Sequence, residues 1–202
     1  MVITGVYYAL GLVAAGSLAL FIAGPWAAAP FGILALFCLN FFRDPDRVAP
    51  AGRHAVSPAD GKVVAVVAEN GRTRISIFLN VFDVHVNRTP IGGVVEKVEY
   101  KKGLFLVASK HEATAQNEQN VVTVRGDDGM RLVYSQIAGL IARRIVFYKR
   151  PGDRVAMGER IGLMKFGSRM DVFFGPEWEI AVKQGERVRA AESIIARRKD
   201  GV

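Results

Sequence analysis

Gly167-Ser168 is the bond in this chain best suited to self-cleavage. Glycine lets the backbone bend into strained geometry. The hydroxyl that follows it can attack the carbonyl just before it once a base removes its proton. Two upstream segments offer helper groups: Ser57-Pro58-Ala59-Asp60-Gly61 and Asp83-Val84-His85-Val86-Asn87-Arg88. His85 is the candidate base, because an imidazole with a pKa of about 6.5 can take and return a proton at neutral pH. Asp60 is the carboxylate that could orient it. Ser168, His85 and Asp60 would then form a Ser-His-Asp set, recognised by geometry rather than spacing. Each residue also has a plainer reading. Pro, Asp and Gly around Asp60 are turn formers, and Gly167-Ser168 could be a turn between strands. His54, after Gly52, and His111 are read as solvent-exposed.

These groups must be positioned by strands. Lys62–Val67, Arg74–Leu79 and Val94–Tyr100 are short and rich in β-branched residues. Asn70-Gly71 predicts a hairpin between the first two. Val121–Val124 and Arg131–Tyr134 flank Asp127-Asp128-Gly129, a second hairpin, and Gly152–Val155 and Gly185–Val188 read as turn-then-strand units. Many short strands at close spacing predict a mostly β fold, a single sandwich or barrel-like domain over 43–202. A helix is expected at about 108–118, with Asn117-Glu118-Gln119-Asn120 at its polar end, and a turn of helix over Ala138–Ala142.

Residues 1–42 contain no Asp, Glu, Lys or Arg, so the net charge of +8 lies on the remainder. Val2–Ala23 would form a helix of roughly 33 Å, matching a hydrocarbon core of about 30 Å. Gly24-Pro25 breaks it. Trp26–Phe42 is a second apolar run, and a helix starting at Pro30 would reach only about 20 Å. A membrane-anchoring helical hairpin, or one span with a re-entrant helix, fits 1–42. The absence of a positive n-region argues against a cleaved signal peptide. Arg43, Arg47 and Arg53 follow directly, which places the β-rich domain on the cytoplasmic side of the cell membrane. The basic balance suits an anionic membrane surface or acidic substrate. No nucleic-acid-binding signature is present. A single cysteine, Cys38, rules out a disulfide framework and a Cys-rich metal site, and no metal ligand set is assigned.

Taken in order, the apolar start, Phe41-Phe42-Arg43-Asp44-Pro45, the Ser-Pro-Ala-Asp-Gly segment, Asp83–Arg88, Asn117–Asn120 and Phe166-Gly167-Ser168 resemble the short prokaryotic (type II, pyruvoyl-dependent) phosphatidylserine decarboxylases. The resemblance implies a zymogen that cuts itself between Gly167 and Ser168. It would leave a β chain, 1–167, and an α chain, 168–202, which stay together as a heterodimer. Ser168 would become a covalent pyruvoyl cofactor whose ketone forms a Schiff base with phosphatidylserine, leading to phosphatidylethanolamine. It also implies an anionic membrane as partner and is compatible with a higher homo-oligomer. Longer family members carry two histidines three apart where this chain has His85 and Arg88, so His85 is left to serve both steps with Asp60 beside it. Arg88, Asn117 and Gln119 are carried over as substrate-binding residues, and Arg169 or Lys165 could also meet the lipid phosphate.

Two rival readings use the same residues. Residues 152–190 have the turn-strand pattern of a biotinyl or lipoyl domain, and Met164-Lys165-Phe166 echoes a carrier sequence, so Lys165 could be a modified lysine. A membrane serine hydrolase would use Ser168, His85 and Asp60, but the Gly-x-Ser-x-Gly elbow is missing.

Overall fold

Charge separates the chain into two parts, and the computed structural model divides it near the same place, into units Met1–Asp46 and Arg47–Val202. The structure describes residues 1–69, 71–106, 116–139, 145–165 and 168–199.

In the first unit, α1 covers Ile3–Ala23 and α2 covers Pro25–Phe41. Gly24 joins them at φ 82°, a conformation that glycine adopts without strain. Pro25 takes the first helical position, where its missing N–H is harmless. The expectation that the second helix begins at Pro30 is therefore corrected, because it begins at Pro25 and continues through Pro30. Pro30 removes one bond near the helix start, where little of the ladder is lost. The helices form a hairpin: Val2 N–H donates to the Phe42 carbonyl at 3.0 Å, and Gly5 and Gly16 leave room for Phe42 and Phe31. Most of the apolar surface faces outward, with Phe21 and Trp26 each 90% exposed. Among the described residues, α1 is long and apolar enough to cross a membrane, and α2 is shorter.

The second unit is built from β1 (His54–Val56), β2 (Gly61–Glu69), β3 (Arg72–Leu79), β4 (Val86–Arg88), β5 (Gly93–Lys101), β6 (Gln119–Arg125), β7 (Arg131–Ile137), β8 (Ile145–Phe147), β9 (Arg154–Val155), β10 (Arg160–Met164), β11 (Ser168–Phe174), β12 (Trp178–Ile180), β13 (Arg187–Val188) and β14 (Ile194–Arg198). Both predicted hairpins form, β2–β3 and β6–β7. Eight strands make a curled sheet in the order β13-β2-β3-β11-β7-β6-β5-β9. Two three-stranded sheets, β1-β14-β12 and β4-β10-β8, complete the unit. The fold is thus mostly β behind an apolar helical start.

Strand alternation decides what each face carries. On β11, Met170, Val172 and Phe174 join the hydrophobic core, opposite Ile77 and Ile75 of β3 and beside Tyr134 of β7. Ser168 has the same parity as these core residues, whereas Arg169 and Asp171 take the other face. The expected helix at 108–118 lies largely outside the described residues, as do 140–142 of the expected turn. At its described end the expectation is corrected: Asn117 bridges to Leu104, and Gln119 and Asn120 open β6. A run of β-branched residues after Asn120 draws the chain into the sheet.

Candidate active site

Two register facts bring the sequence candidates together. Ser168, the first residue of β11, lies opposite Leu79, the last residue of β3. Four residues before Ser168, the Met164 N–H donates to the His85 carbonyl at 3.2 Å. Leu79 is thus paired with Ser168, and His85 is tied to Met164, four residues before Ser168. Phe166 and Gly167 lie outside the described residues.

Ser168 is fully buried, and among the described residues its Oγ has no hydrogen-bond partner. A buried hydroxyl is normally satisfied, so one left unpaired marks strain or chemistry. His85 is 1% exposed, and its Nδ1 lies 2.9 Å from the Asp83 carbonyl oxygen. A carbonyl can only accept, so Nδ1 carries the proton and Nε2 is left as the basic nitrogen.

The loop that fixes His85 is tied by Asp83. One Asp83 carboxylate oxygen accepts the Asn80 N–H at 2.9 Å, and the other meets Arg187 of β13. The Asp83 N–H returns to the Asn80 carbonyl at 3.0 Å, and Asn80 Oδ1 accepts the Phe82 N–H at 2.8 Å. Three residues of tight turn thus aim the Asp83 carbonyl at the imidazole. Sequence reasoning missed the roles of Asp83 and Arg187. The available signal was Asn and Asp three apart before the histidine, a pairing that favours side-chain-to-backbone turns.

Asp60 sits elsewhere in the hydrogen-bond pattern. Its Oδ2 accepts from Arg47 Nη2 at 3.0 Å, and its Oδ1 accepts the Ala190 N–H at 2.8 Å. Neither oxygen is hydrogen-bonded to His85, and the orienting acceptor in this structure is the Asp83 carbonyl. Arg47 also reaches Glu192 at 2.6 Å, so Asp60 fastens the entry of the β-rich unit to the stretch before β14. The Ser57–Asp60 segment still borders the histidine strand, because the Arg88 N–H donates to the Pro58 carbonyl at 2.9 Å.

A second polar group lines the same core face. Gln136 lies opposite Met170, a diagonal neighbour of Ser168. Its Nε2 donates to Asn87 Oδ1 at 2.9 Å, and its Oε1 accepts from Asn120 Nδ2 at 3.1 Å. All three side chains are buried. Burying this amide chain is tolerable because most of its groups are paired. It gives the Ser168 end of the core a polar wall that periodicity alone did not reveal.

The remaining candidates separate. Arg88 is buried and its Nη1 donates to the Gly158 carbonyl at 3.0 Å. Asn117 binds the Leu106 backbone through both ends of its amide and donates to the Ala138 carbonyl at 2.7 Å, clamping the loop after β5 to the end of β7. Gln119 is opposite Ile137, which faces Arg169, so its parity is that of the far face. Arg169 is buried there with Asp171 at 3.0 Å, and Arg74 lies 3.7 Å from the same carboxylate. Burial pulls the Arg169 pKa down, and nearby Arg74 adds to this against the pull of Asp171. Lys165 is half-buried just beyond β10. His54, expected in solvent, is 8% exposed in β1 with Nε2 against the Pro50 carbonyl at 3.0 Å; pairing with β14 draws it inward. His111 lies outside the described residues. Among the described residues, no group of His, Cys, Asp and Glu could hold a metal ion.

With this geometry in hand, comparison with known proteins gives a consistent result. The family model described as phosphatidylserine decarboxylase matches residues 34–196. A phosphatidylserine decarboxylase proenzyme of Solibacter usitatus is 68% identical over 99% of this chain and 98% of its own length. The proenzyme of Erythrobacter litoralis is 42% identical over 94% of this chain and 84% of its own length. That of Nitrosomonas europaea is 42% identical over 92% of this chain and 89% of its own length.

Proposed function

The chain belongs to the phosphatidylserine decarboxylase family and is a decarboxylase made as a proenzyme, and from that premise we propose how its own residues mature it and act on the lipid. Ser168 Oγ attacks the Gly167 carbonyl carbon, and its proton passes to His85 Nε2. The amide becomes an ester. Loss of the Ser168 Cα proton then forms a Cα=Cβ double bond and breaks the Cβ–Oγ bond, releasing Gly167 as a carboxylate and leaving dehydroalanine at 168. Water converts that residue to a pyruvoyl group with loss of ammonia. Ser168 fits this role because it is buried, faces the core and carries a hydroxyl with no described partner. That hydroxyl is the observation on which the reading rests.

A pyruvoyl group supplies an electrophilic carbonyl that takes up the substrate amine and accepts the electrons left when carbon dioxide departs. The chain's contribution is to hold and move protons around position 168. His85, with its Nδ1–H fixed by Asp83, keeps a basic Nε2 for both stages. The Asn87–Gln136–Asn120 chain gives the carboxylate end of a head group a polar wall, and core side chains keep water out. Arg88, Asn117 and Gln119 are the proposed contacts with substrate, and Asp60 is the proposed carboxylate of the catalytic set. The likeness of the C-terminal part to a biotinyl or lipoyl domain belongs to the same proposal, supported by its turn-strand units around Lys165. We place the β-rich unit on the cytoplasmic face of the cell membrane, with α1 and α2 as the anchor. The support is the uncharged start followed by Arg43, Arg47 and Arg53.

Denaturing electrophoresis with intact-mass measurement tests the proposal. Two pieces ending at Gly167 and beginning at position 168, the smaller one blocked to Edman sequencing, are expected. An unbroken chain that releases carbon dioxide from the lipid head group refutes it.

A further inference from the structure

The sheet end that carries Ser168 also gathers the free ends of its neighbours. β3 ends there at Leu79, β5 at Lys101, β7 at Ile137 and β13 at Val188, while β2 and β6 begin there. Two large apolar side chains stand out on this rim. Phe82, in the loop between Leu79 and His85, is 70% exposed, and Leu104, just after β5, is 55% exposed. Lys62, Lys101, Lys102 and Arg187 are exposed beside them. The acidic groups on the rim are partly engaged: Asp83 is buried against Arg187, Glu99 pairs with Lys97 at 2.9 Å, and Glu118 is hydrogen-bonded to Tyr100. Glu186 is exposed next to Arg187. The opposite end of the sheet differs. There Arg131 and Arg154 are paired with Glu96 and Asp127, Arg72 and Arg125 are exposed, and no large exposed apolar residue stands at those strand ends among the described residues.

We infer that this rim, with Phe82 and Leu104 as apolar wedges inside a basic ring, is the surface by which the catalytic unit docks on an anionic phospholipid bilayer. Charge complementarity argues for that partner, since exposed lysines and arginine around apolar tips match a negative interface with hydrocarbon beneath it. The inference rests on the decarboxylase reading, which requires a lipid amine to reach Ser168 without fully leaving the membrane. Phe82 is three residues from His85, so docking through it presents the entrance of the site to the head groups. This contact is separate from the proposed anchoring by α1 and α2.

The test uses the full chain in vesicles of phosphatidylcholine and phosphatidylglycerol. In a Cys38→Ser background, Phe82→Cys or Asp127→Cys carries a bimane label, and lipids carry a shallow nitroxide quencher. Quenching at position 82 is expected to exceed that at 127 by at least twofold, and equal quenching overturns the inference. In a second arm, Phe82→Asp is expected to lower turnover of bilayer phosphatidylserine roughly tenfold while short-chain monomeric substrate is handled within about twofold. Equal loss on both substrates, or no loss on either, overturns it. If wild-type protein turns over neither substrate, the decarboxylase reading fails, and the quenching arm still decides the docking surface.

Discussion

Replacing Asp83 by alanine removes the tie that aims His85. The carboxylate accepts the Asn80 N–H at 2.9 Å and meets Arg187, whose side chain is 63% exposed. The first bond, from a backbone amide to a charged acceptor, is worth about 1.5–3 kcal/mol. The second is at the surface on one side and adds at most about 1 kcal/mol. Asp83→Ala should therefore destabilise the unit by about 2–3 kcal/mol, lowering the melting temperature by roughly 5–10 °C. The larger effect falls on chemistry. Release of the 80–83 turn lets the Asp83 carbonyl leave His85 Nδ1, and a displacement of about 1 Å can slow a positioned reaction by about 100-fold. Precursor made by in vitro translation should then process 10–100 times more slowly, roughly, by time-resolved electrophoresis. Asp83→Asn keeps an acceptor for Asn80 and should stay within a few-fold of wild type, as should Arg187→Ala. The positioning role is separated from mere stability by imidazole ¹⁵N chemical shifts in an uncleavable Ser168→Ala background. Wild-type His85 should show a protonated Nδ1, and Asp83→Ala should mix the tautomers. Normal processing of Asp83→Ala with an unchanged His85 tautomer would refute the reasoning.

Three further outcomes are expected. Ser168→Ala should remain one uncut chain by intact mass, and its melting temperature should equal or exceed wild type, because the lost hydroxyl has no described partner and is buried. Gly162→Ala should destabilise by about 1–3 kcal/mol in a denaturant titration, because a methyl group there strikes the Val146 carbonyl and wedges β8 from β10. Burial pushes the Glu159 carboxyl up, but Lys149 and the Ala156 N–H outweigh it and hold the pKa below 4.5. Its contribution to stability is therefore present above that value and lost as pH falls through the lower folded pKa. Melting curves between about pH 3 and 6 should show a steeper acid loss for wild type than for Glu159→Gln.

The parts of the fold governed by local pattern were legible in the sequence. β-branched runs broken by Asn70-Gly71 and Asp127-Asp128-Gly129 foretold two hairpins, and the uncharged start foretold the apolar helices. Pro30 misled because a proline near a helix start removes little, whereas Pro25 had already begun the helix. His54 misled because its burial comes from pairing with β14, more than a hundred residues away. At the site, His85 drew attention because histidine is scarce in this chain, and Ser168 because its hydroxyl directly follows Gly167. The orienting partner was not legible. A carbonyl is carried by every residue, and only the turn at Asn80–Asp83 shows which one reaches the imidazole. Asp60 drew attention as a carboxylate, but its bonds to Arg47 and the Ala190 N–H depend on long-range approach.

The place of β11 in the large sheet has a consequence for the life history of the molecule. It lies between β3 and β7, while β13 and β14, from the same stretch, border β2 and β1. The proposed break just ahead of Ser168 would leave the two products interleaved like fingers, and native conditions should not part them. Unfolding would scatter pieces that were joined when the sheet first assembled, and their return would become a bimolecular event. The mature protein should therefore fold once and fail to recover after full denaturation, while the uncut Ser168→Ala chain refolds.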